Sequence, residues 1–460
     1  MKQNINPQDL IIAPKNANGT IYVRQQKGFF QRLRRNIGGL LVLLFLALPW
    51  LDVNSKQSIL LDLDLLQFHV FGMTLFPQDF TLIAGLFMVA TFLLFFVTSW
   101  LGRIWCGFLC PQTVWSFGYI WIEEKIEGTR NQRINLDKQP WSVKKISKKM
   151  LKHLVWLAVA FFSGTSFLAY FVPVRELYSD MLTLQWSGTV SFWIGLFTIC
   201  TYGNAGWLRE KMCHHMCPYA RFQSVMFDNE TLVVAYDENR GEGRGARKRK
   251  DDPKALGLGD CVDCNLCVDV CPVGIDIRDG LQYECIDCGA CIDACDQTMT
   301  QFNYPKGLIS YTSEAKLAGK SAGPLRAKII SYAVLSLIVI SGMVATVVNT
   351  VAVELSISRD RNVLYRINDN DDIENSYQLK ILNKSSQTMR YQLKVTGLVG
   401  ISSSKNQLIE VASGELLDVV LTLTASPEDI KQPVTKLTFI IEANDNPDIT
   451  VSTETRFFAL

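Results

Sequence analysis

The chain has 460 residues, 48% of them hydrophobic and 20% charged, with a formal net charge of +2. It is too long for one small domain, and its apolar runs exclude a simple soluble protein. A membrane protein built from several parts is the expectation.

Residues 1–35 are polar and end in a basic run at 31–35. No cleavable signal is expected, because the apolar stretch starts late and lacks a small-residue cleavage site. Apolar stretches at 36–51, 80–100, 153–172, 188–208 and 329–351 read as five membrane spans. The stretch 115–122 is aromatic and apolar but too short to cross, so it is expected at the interface. Lys and Arg accumulate in 1–35, 101–152 and 209–328, whereas 53–79 carries only Lys56 and 174–187 only Arg175. Basic loops stay inside, which puts the amino terminus in the cytoplasm and the region after 351 outside.

Two matching motifs follow the second and fourth spans: Cys106-Gly-Phe-Leu-Cys110-Pro111 and Cys213-His-His-Met-Cys217-Pro218. On an α-helix, thiols at i and i+4 share one face and offer two sulfurs to one metal. Soft sulfur ligands favour Cu(I), and His214, His215 and Met216 stand inside the second pair as further donors. The plainer reading is buried packing cysteines at helix ends. The repetition favours redox or metal chemistry, and leaves open whether the pairs act singly or as one four-thiolate site. Arg103 and Trp105 are placed to raise the thiolate character of the first pair and to anchor the interface. Cys200 reads as a packing residue, His69 as structural and His153 as interfacial. The basic stretch 241–250 reads as a loop facing anionic head groups rather than a nucleic-acid patch.

Eight of the thirteen cysteines lie between Cys261 and Cys295. Cys261, Cys264, Cys267 and Cys271 are spaced C-x2-C-x2-C-x3-C, and Cys285, Cys288, Cys291 and Cys295 repeat that spacing 24 residues later. This is the bacterial two-cluster ferredoxin pattern, in which the fourth cysteine of each run serves the other cluster. It assigns Cys261, Cys264, Cys267 and Cys295 to one [4Fe-4S] cluster and Cys285, Cys288, Cys291 and Cys271 to a second. Structural zinc fits less well, because zinc sites pair CxxC units across longer gaps. Pro272 follows the first run, but Asp296 replaces the second proline. Cluster thiols must stay reduced, which places 211–328 in the cytosol.

Beyond 351, short alternating runs at 363–365, 377–381, 391–395, 419–423, 437–441 and 449–453 are separated by Asn, Asp, Ser, Gly and Pro. They predict an antiparallel β-sandwich over 352–460. The fold class expected is therefore a multi-span α-helical membrane protein. Four spans (36–210) follow a cytoplasmic segment (1–35), then come a cytoplasmic ferredoxin-like insert (211–328), a fifth span (329–351) and a carboxy-terminal immunoglobulin-like sandwich.

The two C-x3-C-P pairs, the cysteine insert, the linking sequence GIDIRDGLQYEC at 274–285 and the sandwich together resemble the FixG/RdxA/CcoG family of cytochrome c oxidase accessory proteins. The resemblance implies a multi-pass protein of the bacterial inner membrane, with its sandwich in the periplasm. It implies reduction of Cu(II) to Cu(I) for assembly of cbb3-type cytochrome c oxidase, an oxidoreductase function with two [4Fe-4S] clusters and copper as its metals. Cys106, Cys110, Cys213 and Cys217 match the family's copper-handling pairs. Partners would be copper-delivery and oxidase-assembly factors, a copper-exporting ATPase and an unidentified electron donor, and not nucleic acid. Two alternatives stand: a quinol-linked polyferredoxin-type subunit without copper chemistry, and an assembly scaffold that is not an enzyme.

Overall fold

The structure, a computed structural model, describes residues 21–459 apart from 54–55, 65, 77–78, 250, 252, 254, 321–325, 349–352, 360–362, 370, 386, 399, 404–407 and 445. It divides into two units, Met1–Ser341 and Gly342–Leu460.

In the first unit, α1 (Phe29–Ala47) begins well before the expected span start, so the basic run is helical. The reason is a cap supplied from far along the chain. The Asp293 carboxylate accepts the Phe30 and Gln31 backbone N–H groups at 3.2 and 2.9 Å, satisfying donors that a helix start leaves open. Helix α2 (Phe80–Leu101) runs close to its expected bounds. After it come α3 (Pro111–Glu127), α4 (Arg130–Lys138) and α5 (Val143–Leu168). Helix α5 starts ten residues before the expected span, because Ser142 caps it and its lysines find partners. Lys149 pairs with Glu127 at 3.0 Å and Asp137 at 2.7 Å, and Lys152 with Glu127 at 2.8 Å.

Helices α6 (Val174–Thr183) and α7 (Gly188–Thr201) follow, and a π-helical run, Tyr202–Leu208, carries α7 on to Leu208. Cys200 is exposed on α7, not packed as the sequence suggested, because it faces outward from the helix's one buried stripe. The unit continues through α8 (Pro218–Met226) and α9 (Ala290–Phe302) into α10 (Ala327–Val348), which crosses its boundary. Among the described residues, four helical stretches are long and apolar enough to cross a membrane: Phe29–Trp50, Phe80–Leu101, Val143–Leu168 and Ala327–Thr346. Helix α7 has 14 residues and is too short alone.

Stretch 115–122 packs inward through Tyr119, which is fully buried. The Tyr119 hydroxyl donates to the Trp156 carbonyl at 2.9 Å, and the Trp156 indole N–H donates back to the Tyr119 carbonyl at 3.2 Å. Below that contact, buried Glu123 gathers Arg209, Arg133 and Lys152 at 3.0, 3.2 and 3.4 Å, tying α3 to α4, α5 and the end of the π-helical run. His69 Nδ1 meets Thr74 Oγ1 at 2.9 Å between two strands of a small sheet, and His153 stacks on Trp207. In the basic stretch, Arg247 turns onto its own fold: it donates to the Gly259 carbonyl at 2.7 Å and lies over the Tyr304 ring.

The second unit is a sandwich of antiparallel strands. One sheet orders Ser402–Ser403, Leu416–Ala425, Ile373–Asn383 and Val353–Arg359, with Arg366–Ile367 paired to Ile373–Asn383. The other orders Leu408–Val411, Met389–Thr396, Val434–Ala443 and Asn446–Phe458. Ile373, Tyr377, Leu379 and Ile381 on one sheet, and Leu437, Phe439 and Ile441 on the other, alternate inward with the period of a strand. Tyr377 and Phe439 meet edge to face at 5.4 Å. The run 363–365 is not a strand; the short strand Arg366–Ile367 follows it.

Candidate metal centre

The two cysteine runs repeat in backbone as well as in sequence. Asp263 and Asn265 in the first run have φ of 50° and 54°, and Asp287 and Gly289 at the same offsets in the second have 50° and 71°. Asp, Asn and Gly are the residues that tolerate this left-handed region, and it curls each loop so that its cysteines face one way. Arg278 holds the first loop, donating to Asp263 and Asn265 at 2.6 Å each. Asp287 holds the second, its carboxylate accepting the backbone N–H groups of Arg103 at 2.9 Å and Val234 at 3.0 Å.

Two cavities result. Cys261, Cys264, Cys267 and Cys295 line one, beside Leu308 and Ile309. Cys267, Cys271, Cys285, Cys288 and Cys291 line the other, with Val273 and Ile275. Each cavity thus draws on both runs: the first takes Cys295 from the second run, and the second takes Cys271 and Cys267 from the first. Burial drives the thiols upward: Cys267, Cys271 and Cys295 each to about 12, and Cys285 and Cys291 well above the ordinary value. For Cys271, the N–H groups of Val273, Ile275 and Gly274 pull the other way. Four sulfurs around an aliphatic chamber, stable as thiolates only beside positive charge, fit an iron-sulfur cluster, whose irons supply that charge. None of the thirteen cysteines is in a disulfide. Among the described residues, no three His, Cys, Asp or Glu close on a point that would hold a single ion.

The C-x3-C-P pairs do not lie on α-helical faces. Cys106 sits in a π-helical turn, Trp105–Leu109, and Cys213 in another, Met212–Met216. Each turn closes with an N–H from the second cysteine, Cys110 to the Trp105 carbonyl and Cys217 to the Met212 carbonyl, both at 2.8 Å. The prolines are the cause. Pro111 and Pro218 disfavour helical backbone at the residue before them, so Cys110 and Cys217 are extended and become the N-caps of α3 and α8.

The two turns converge. Cys106 is buried, and its Sγ donates to Gln223 Oε1 of α8 at 3.3 Å, while Gln223 donates to the Gly102 carbonyl at 3.0 Å. Burial, then Cys110, raises the Cys106 thiol to about 12; Arg103 opposes this, and Cys213 and Cys217 add to it. Burial, Cys110 and Cys217 raise Cys213 to about 11. Arg103 does favour the thiolates, but burial outweighs it. Burial also lowers the His214 pKa, against the pull of Glu284. His214 Nε2 and Glu284 Oε2 are both buried without a hydrogen-bond partner among the described residues. His215 and Met216 are exposed.

The first turn rests on the second cavity. A Cβ on Gly107 would lie 2.7 Å from the Ile286 carbonyl oxygen and 3.1 Å from the Cys288 Cα, so only glycine permits the approach. Cys106 shares one apolar core with Cys285 and Cys288. Sequence reading missed Asp287, Gln223 and Glu284. The matching offset of Asp263 and Asp287 in the repeat was a usable signal for the first, and nothing local marked the other two.

A double cysteine chamber joined to apolar helices of membrane-crossing length defines a membrane-associated iron-sulfur electron-transfer protein. Residues 208–314 match the model of a 4Fe-4S dicluster domain, and 343–459 match that of the Ig-like fold at the carboxy terminus of FixG. Protein RdxA of Cereibacter sphaeroides is 37% identical over 420 residues, covering 88% of this chain and 87% of RdxA. Nitrogen fixation protein FixG of Rhizobium meliloti is 35% identical over 415 residues, covering 82% and 79%. The crystal structure of a FixG-related protein from Vibrio parahaemolyticus is 35% identical and covers 24% of this chain and 97% of its own, with a TM-score of 0.23. The chain belongs to the FixG/RdxA family.

Proposed function

We propose that the protein is a cupric reductase of the bacterial inner membrane that supplies Cu(I) for assembly of cbb3-type cytochrome c oxidase. The observation that carries this reading is the seating of the Cys106 turn, through Gly107, on the loop between Cys285 and Cys288. Cys261, Cys264, Cys267 and Cys295 would hold one [4Fe-4S] cluster and Cys271, Cys285, Cys288 and Cys291 another. When bound, the clusters supply electrons singly and at low potential.

The chain's own residues do the rest. Cys106 with Cys110, and Cys213 with Cys217, take copper, the substrate, two soft thiolates at a time, which favours Cu(I) over Cu(II). The unpaired His214 Nε2, inside the second pair, and Glu284 Oε2, whose charge pulls on His214, favour a cation there. Each Cu(II) takes one electron and leaves as Cu(I) towards copper-delivery and oxidase-assembly factors or a copper-exporting ATPase. Five spans, counting 188–208, with basic loops inside, put these thiols on the cytoplasmic face and the sandwich in the periplasm.

The test is the double substitution Cys213→Ser with Cys217→Ser in purified holoprotein. Cu(I) production should be lost while iron content stays at the wild-type level. Full copper reduction by that double variant would remove the second pair from the mechanism.

A further inference from the structure

A recess beside the metal centre is not lined by cysteine. A cavity of about 460 Å³ lies between α1, α3, the Trp105–Leu109 turn and the start of α9. Its volume is that of a small-molecule site. Val114, Phe117 and Trp121 form apolar walls, and Gln31, Arg34 and Glu124 add polar groups.

Three observations give it a direction. Gln31 Oε1 is buried without a hydrogen-bond partner among the described residues, and such an atom costs stability until a donor reaches it. Arg34 donates to the Cys288 carbonyl at 3.1 Å and lies 3.9 Å from the Phe117 ring centroid, bridging the recess to the cysteine loop. Ala290 lines both this cavity and the chamber of Cys271, Cys285, Cys288 and Cys291. A ligand here would touch a candidate membrane span on one side and a redox chamber on the other.

We infer that this cavity binds an isoprenoid quinol, which is the electron donor to the iron-sulfur centre; the inference rests on the electron flow proposed above. A hydroquinone matches the lining group by group. Its O–H donates to Gln31 Oε1, its oxygen accepts from Arg34, its ring stacks on aromatic walls, and its tail follows apolar surface towards lipid. An acyl chain would use the walls and leave Gln31 unpaired. Oxidation of one quinol to quinone releases two electrons and two protons. The electrons pass singly into the iron-sulfur centre and reduce two Cu(II) to two Cu(I). Glu124 takes one proton and solvent the other. Burial raises the Glu124 carboxyl against the pull of Arg133 and Lys125, which suits a proton acceptor.

The test uses quinone-free holoprotein in lipid nanodiscs and an azido-benzoquinone with a short isoprenoid tail as photoprobe. Label should map to peptides covering 23–42 or 111–127 and be displaced by decylubiquinone. Gly118 lines the cavity, and a Cβ there meets nothing within 4 Å, so Gly118→Phe places a ring in the space the quinol would use. It should abolish the label with wild-type iron content and melting temperature. Gln31→Leu should weaken decylubiquinone competition about tenfold. Label elsewhere, or labelling of Gly118→Phe at the wild-type level, overturns the site. Copper reduction by dithionite-reduced wild type is scored separately, so a failure there strikes the functional reading and not the quinol site.

Discussion

The backbone N–H of Arg103 donates to Asp287 Oδ2 at 2.9 Å, joining the end of the second apolar helix to the loop between Cys285 and Cys288. Asp287 Oδ1 accepts the Val234 N–H at 3.0 Å. One fully buried carboxylate therefore locks the apolar helix, Val234 and the cysteine loop together. Asp287→Asn presents an amide N–H to one of these donors and strands it. The expected loss is about 1–3 kcal/mol, the cost of a buried unsatisfied group. It is measured as a lowered thermal midpoint of the holoprotein, and an unchanged midpoint would show that the lock is dispensable.

Gly107 sets the contact between thiol turn and cysteine loop. Gly107→Ala drives a Cβ against backbone atoms of Ile286 and Cys288, which no side-chain rotation relieves. The rate of Cu(I) formation from pre-reduced protein should fall with iron retained. Gly195→Ala, where a Cβ meets nothing within 4 Å, serves as the control and should keep the wild-type rate.

Glu123 is the electrostatic hub that ties α3 to α4, α5 and Arg209. Burial raises its carboxyl, but Arg209, Lys152 and Arg133 outweigh burial and hold it below the ordinary value. The sign follows: a carboxyl depressed in the folded state contributes stability above its unfolded pKa, about 4.3, and that contribution is lost as pH falls through the lower folded value. Glu123→Gln removes it at neutral pH and leaves buried Arg133 underpaired, at about 3–5 kcal/mol. Melting at pH 7 and in the acid range should show a large drop for the variant at pH 7 and a flatter acid dependence than wild type.

In the sandwich, Phe439 is fully buried against Tyr377. Phe439→Ala should cost about 3–5 kcal/mol through lost burial and the cavity left behind. Limited proteolysis of the full chain should then cut within 353–459 sooner, with iron content unaffected.

What the sequence disclosed depended on how local the cause was. Cysteine spacing and strand alternation act over a few residues, so the iron-sulfur fold and the Ig-like unit were legible. The start of α1 was not, because its cap, Asp293, lies more than 260 residues away. The lysines of α5 carry no local helix signal, because their partners Glu127 and Asp137 lie outside that helix. The thiol pairs were misread as α-helical although the following prolines were in view; Pro111 and Pro218 force the extended cysteine and leave a π turn behind it. Val353–Arg359 and Leu408–Val411 were missed as strands: the first follows directly on an apolar span, and the second is short.

Under the proposed function, electrons stored at the cysteine chambers reach copper at the paired thiols. The direct measurement is anaerobic titration of the dithionite-reduced holoprotein with Cu(II), following iron-sulfur absorbance and EPR with a Cu(I) chelator present. Prompt reoxidation matched one electron per Cu(I) formed is the expected result. Clusters that stay reduced in the presence of Cu(II), yet reoxidise with a quinone analogue, would contradict it.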